Sequence, residues 1–82
     1  MWVYRVMRQE TGDNDEPYIF GIHEVYDFKF EGKGMHLWTK DRMEPHGTTL
    51  KALRSDFAFM RKAFQAPVLD YKTGKPIRKG RP

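Results

Sequence analysis

The sequence predicts an α+β domain in which three antiparallel strands precede one helix. Two patterns carry that prediction. Between Tyr18 and Phe30 every second residue is apolar or aromatic (Tyr18, Phe20, Ile22, Tyr26, Phe28, Phe30), with Glu24 the exception. A period of two over that length belongs to a half-buried strand. Further on, Leu50, Leu53, Phe57, Met60 and Phe64 fall at the spacing of one helix face. Turn-forming stretches at Thr11–Pro17 and Glu31–Gly34 bound the long strand on either side.

In chain order, residues 2–10 read as strand one, because Trp2, Val3, Tyr4 and Val6 are strand formers. Thr11–Pro17 is a turn in which Gly12 and Asn14 tolerate positive φ, and Pro17 opens the next strand where its missing N–H matters least. Strand two covers residues 17–30 and strand three residues 34–42. With Gly32-Lys33 as a two-residue loop, Phe30 faces Met35, Phe28 faces Leu37 and Tyr26 faces Thr39 on one side, with Asp27 opposite Trp38 on the other. Pro45-His46-Gly47 breaks the third strand. Thr49 is placed to cap a helix over residues 49–65, Lys51 opposes its dipole, and Pro67 ends it. The helix stripe is expected to bury itself against the even-numbered side of strands two and three. Residues 1–70 form the domain and residues 71–82 a flexible basic tail. A short fourth strand from the tail, or a second hairpin running beyond the packed sheet, are the competing arrangements.

Eighty-two residues make one small domain with a thin stability margin. The chain has no cysteine, so aromatics and methionines must build the core without disulfides or thiolate zinc. It has no apolar run of the roughly 20 residues a membrane span needs and no basic-then-apolar leader pattern, so a cytoplasmic protein is expected. Charge is unevenly placed. Residues 1–69 hold ten basic and ten acidic side chains, while residues 70–82 hold five basic ones against Asp70 alone. A neutral body with a basic tail disfavours a nucleic-acid-binding fold face and leaves a weak electrostatic arm.

Tyr4-Arg5-Val6, Tyr18 to Tyr26 (including Gly21-Ile22-His23-Glu24-Val25-Tyr26), Trp38-Thr39, Pro45 to Asp56 and Pro67-Val68-Leu69-Asp70 together resemble a family of small uncharacterised bacterial proteins. The likeness runs along nearly the whole chain up to Asp70; a longer second hairpin and the basic tail set this chain apart. The family implies no activity and transfers no functional residue. Gly47-Thr48-Thr49-Leu50 at the helix start also resembles the N-terminal domain of HicB-type antitoxins, which implies the same strand–strand–strand–helix order. Those antitoxins usually add a DNA-binding module that this chain lacks.

Several residues invite a functional reading. Phe59 falls on the arc of the helix opposite the core stripe, with Ala52, Ser55, Asp56 and Ala63 around it. A large aromatic among small residues there suggests a contact surface centred on Phe59, Ala52 and Ala63; a single exposed aromatic is the ordinary alternative. Trp38 stands on the outer face of strand three near Lys40 and Arg42, an arrangement able to stack bases and hold phosphates. The chain after the helix, with Val68, Leu69, Tyr71 and Ile77, is available to cover it instead. Lys72, Lys75, Arg78, Lys79 and Arg81 could contact phosphates without reading sequence, or act as a solubilising tail.

His23, His36 and His46 lack convergent metal-ligand spacing and read as surface or loop residues. Asp13-Asn14-Asp15-Glu16 lacks the flanking helices of a calcium loop and reads as a solvated turn. Glu24 reads as a sheet-margin residue, the alternative being a buried carboxylate with a catalytic role. No nucleophile–base set, phosphate loop or carboxylate pair is recognisable, so neither catalysis nor a cofactor is expected. The expectation is a non-catalytic module that binds a protein partner or itself, with an antitoxin-like role as one version. Nucleic-acid binding through the tail and the Trp38 face is the alternative.

Overall fold

The computed structural model describes residues 2–30 and 33–77. It is α+β, with strands β1 (Trp2–Glu10), β2 (Tyr18–Phe30) and β3 (Lys33–Trp38), helix α1 (Leu50–Arg61) continued by a 3-10 turn (Lys62–Gln65), and a short β4 (Leu69–Asp70). The sheet is curled and mixed, in the order β3-β2-β1-β4. The first three strands form the expected antiparallel meander, and the fourth lies parallel to β1, with Met7 beside Leu69 and Arg8 beside Asp70. The expected three-stranded antiparallel sheet is thus corrected to a four-stranded mixed one. The cause lies in the outer edge of β1: its carbonyls have no partner unless the chain returns, and Tyr71 N–H donates to the Arg8 carbonyl at 2.9 Å.

Residues 71–77, assigned above to the tail, close a tight hairpin. Gly74 N–H donates to Asp70 O at 2.7 Å, Asp70 N–H to Lys75 O at 2.8 Å, and Ile77 N–H to Val68 O at 2.9 Å. Asp70 also accepts from Lys72 N–H and from the Thr73 hydroxyl, the local bonding that makes Asp a turn residue.

The β2–β3 register lies two residues from the expected one. Phe28 pairs with Met35, Tyr26 with Leu37 and Val25 with Trp38. A slip of two preserves the alternation of the paired positions, and it sets Trp38 beside buried Val25 rather than beside Asp27. Since β1 begins opposite Tyr26, residues 27–30 of β2 pair with β3 alone and the hairpin runs past the rest of the sheet. After Trp38 the chain still tracks β2 loosely, with Thr39 N–H donating to Glu24 O and Met43 N–H to Ile22 O.

Around β1, both sheet faces carry buried residues. On one, Tyr4 and Val6 of β1 pack with Met60 and Ala63, flanked by half-buried Ile22, Met43 and Val68. On the other, Met7, His23 and Val25 are buried, and Tyr71 from the returning hairpin sets its ring 5.4 Å from that of His23. Thr49 caps α1 as expected, its hydroxyl accepting from Ala52 N–H at 3.0 Å. Gly47 just before it lies so close that a Cβ there would meet Leu53 N at 2.5 Å, and this pins the loop to the first turn.

Candidate functional site

The helix sits on β1, not on strands two and three, and it is rotated from the expected orientation. Met60 and Ala63 are 2% and 0% exposed, whereas Leu50, Leu53, Phe57 and Phe64 are 61%, 37%, 56% and 69% exposed. Of the stripe predicted to be core, only Met60 is buried. The arc predicted to face outward lies on the β1 side, although Phe59 itself stays 39% exposed and Ser55 is exposed. Phe59 sets its ring edge-on to Trp2 at 5.6 Å and to Tyr4 at 5.3 Å, and those two rings lie 5.0 Å apart. Ala63 is small enough to let the backbone approach β1 closely, and edge-on aromatic contacts add about 0.5–1.5 kcal/mol per pair beyond burial.

Asp56 ties this arc down. Its Oδ1 accepts from the Tyr4 hydroxyl at 3.2 Å and its Oδ2 from the His46 backbone N–H at 2.9 Å, with His46 Nδ1 3.7 Å away. One carboxylate thereby joins strand, loop and helix. Burial, followed by the charge of Asp56 and its hydrogen bond, pushes the Tyr4 hydroxyl up to about 12. The folded state favours the neutral hydroxyl. Its contribution to stability is complete below pH 10, the ordinary tyrosine value, and is lost as pH rises toward 12. A spectrophotometric titration at alkaline pH should therefore show two of the four tyrosines ionising late, Tyr26 and, at about 12, Tyr4. Tyr4→Phe should remove the latter step and flatten the fall of stability between pH 10 and 12. Loss of a different step would refute the assignment. Nearby, the Tyr26 hydroxyl donates to the Glu24 carboxylate, which raises the Tyr26 value as well. Glu24 is half-buried at the rim of the helix-covered face, held by a tyrosine rather than by a basic neighbour.

The exposed stripe borders two clefts. Pro45, Leu53, Arg54 and Phe57 line one of about 580 Å³. Phe64 lines a second of about 850 Å³, floored by Val6, Phe20 and Ile22 and rimmed by charges of both signs, Lys40, Asp41, Arg42 and Glu44. The apolar surface of the helix therefore continues onto the exposed Phe20 of β2.

The other singled-out residues are scattered. Ala52 is half-buried against Gly47 and Ala63 is buried, while Phe59 is exposed on one side and set against Trp2 and Tyr4 on the other. Trp38 is half-buried, its ring 6.3 Å from that of Tyr71 and beneath Gly74. Lys40 and Arg42 are exposed on the following loop, and Lys72 and Lys75 on the hairpin. Arg78, Lys79 and Arg81 lie outside the described residues. His23, read as a surface or loop residue, is instead 1% exposed; its Nδ1 lies 2.9 Å from the Thr39 carbonyl. Among the described residues no group of three or more acidic or histidine side chains could hold a metal ion, and no helix is long and apolar enough to cross a membrane.

Sequence reasoning passed over Tyr4, Asp56 and His46 as a unit. The signal available for them was the pairing of Asp56 with Ala63 on one arc, small and hydrogen-bonding residues where a helix must come close. Compared with family models, curated proteins and solved structures, the chain matches none.

Proposed function

We propose that this chain is a non-catalytic protein-interaction module and that its docking surface is the Leu50–Leu53–Phe57–Phe64 stripe. The observation that carries this reading is the exposure of large apolar residues at core-like spacing on a helix already seated by its neighbouring arc. An antitoxin-like inhibitor is one form such a module takes, and a toxin gene beside this one would mark it.

The test is Phe57→Glu together with a photo-crosslinking residue at position 57 in the native host, with position 55 as control. A docking residue tolerates the charge, so unfolding free energy should move by less than about 0.5 kcal/mol, and position 57 should yield a discrete covalent product absent at 55. Unfolding of Phe57→Glu, or no product at either position, would end the reading.

A further inference from the structure

The rim of the stripe specifies its occupant. Arg54 follows Leu50 by four residues and Arg61 follows Phe57 by four, so the two arginines fall along the same edge of the stripe, about two turns apart. Arg54 also lines the cleft formed by Pro45, Leu53 and Phe57. Among the described residues neither arginine is paired with a carboxylate; the contact found there sets His46 Nδ1 3.7 Å from the Asp56 carboxylate. Lys51 adds another cation on the solvent side, Lys62 sets its ammonium over the Phe59 ring at 5.9 Å, and Asp56, the one acid of α1, is turned to Tyr4 and His46. An apolar stripe with an uncompensated cationic edge attracts the opposite charge.

We infer that the stripe receives an amphipathic helix of a partner protein whose apolar face carries an acidic flank. The inference rests on the interaction reading above. Leu50 to Phe64, α-helical to Arg61 and 3-10 beyond it, spans about 22 Å, close to the length of two heptads. Leucines of the partner would enter the clefts beside Phe57 and Phe64, and its Asp or Glu residues would reach Arg54 and Arg61. A second copy fits this surface poorly. An antiparallel twofold pair sets the Arg54–Arg61 edge of one helix against the same edge of the other, and like charges there repel. A parallel pair sets that edge against the side of the helix already occupied by β1.

The probes are two labelled 21-residue amphipathic helices with leucine at a and d, one with Glu and the other with Lys at e and g. Fluorescence anisotropy is read on the full chain at low and at high salt. The Glu peptide should bind about tenfold or more tightly than the Lys peptide at low salt, with the preference shrinking as salt rises. Arg54→Glu with Arg61→Glu, which keeps the basic tail intact, should reverse the preference, and Phe57→Glu should weaken both peptides. Equal binding of the two peptides, or a preference that the double reversal leaves unchanged, would overturn the acidic partner while leaving the interaction surface standing. A doubling of mass in sedimentation that Phe57→Glu abolishes would assign the surface to a second copy and overturn this inference. Failure of both peptides to bind while position 57 still crosslinks would likewise overturn it, whereas loss of the crosslink would remove the interaction reading itself.

Discussion

Met60→Ala is expected to destabilise the fold by about 2–5 kcal/mol, the range for truncating a fully buried methionine. Met60 is 2% exposed and packs with Tyr4, Val6 and Ala63, so its loss opens a void between the helix and β1 that rigid neighbours close only in part. A chain this small, without disulfides, has only a few kcal/mol to lose. The variant should therefore stand near its unfolding midpoint at 25 °C, with its denaturation curve shifted to low urea and its slope unchanged. Phe57→Ala removes a larger side chain three residues earlier, yet it should cost less than about 1 kcal/mol, because Phe57 is 56% exposed. The contrast tests the rotation of the helix directly. Equal costs for the two variants would mean that Phe57 is core and the proposed docking surface does not exist.

That rotation is where sequence and structure part company. Strand three ends at Trp38 rather than running to residue 42 and the break at Pro45–Gly47, whereas the helix limits, the Thr49 cap and the three antiparallel strands follow from local chemistry that a sequence displays. Which arc of the helix faces the sheet does not. A period of 3.6 residues identifies an apolar arc, but on α1 the apolar residues spread from Phe59 through Met60 to Leu50, too wide for the shallow contact one helix makes with one strand. The narrower arc with Ala63, Asp56 and Phe59 docks because it permits close approach, a hydrogen bond to Tyr4 and aromatic contacts together. The remaining arc is surplus to the fold, and that surplus is the basis of the proposed function. Long-range placement was equally hidden. His23 lies on the sheet face opposite the helix, and its burial depends on Tyr71, which is 48 positions further along the chain. Alternation alone cannot say whether a second face is open or covered. Leu69 and Asp70 pair for only two residues, too short to leave a strand signature.

Gly74→Ala is expected to release the returning hairpin from the sheet. Gly74 has φ +74, a conformation that costs a residue with a side chain about 1–2 kcal/mol. Its added Cβ would lie 2.4 Å from Trp38 Cζ3 and 2.7 Å from Cη2, so either the indole or the hairpin must move. The hairpin is held at its edge by the Tyr71 amide, the Tyr71 ring and a bond from the Tyr71 hydroxyl to the Lys40 carbonyl, and it should yield before an indole packed beside Val25 does. In a Trp2→Phe background, Trp38 emission should shift to the red and amide exchange should quicken at Tyr71 and Ile77. Gly12→Ala provides the control: Gly12 has φ +84 but nothing within 4 Å of its Cβ position, so it should carry backbone strain of about 1 kcal/mol and leave Trp38 unchanged. Gly74→Asn separates the two causes, since asparagine accepts positive φ yet keeps the Cβ; it should behave like Gly74→Ala if the contact with Trp38 dominates. Wild-type emission and stability in Gly74→Ala would show that residues 71–77 do not lie on Trp38. The same variant bears on the nucleic-acid alternative, because lifting the hairpin bares Trp38 beside Lys40 and Arg42. If that face binds single strands, affinity for a short oligonucleotide at low salt should rise in Gly74→Ala; unchanged affinity would confine any such binding to the tail.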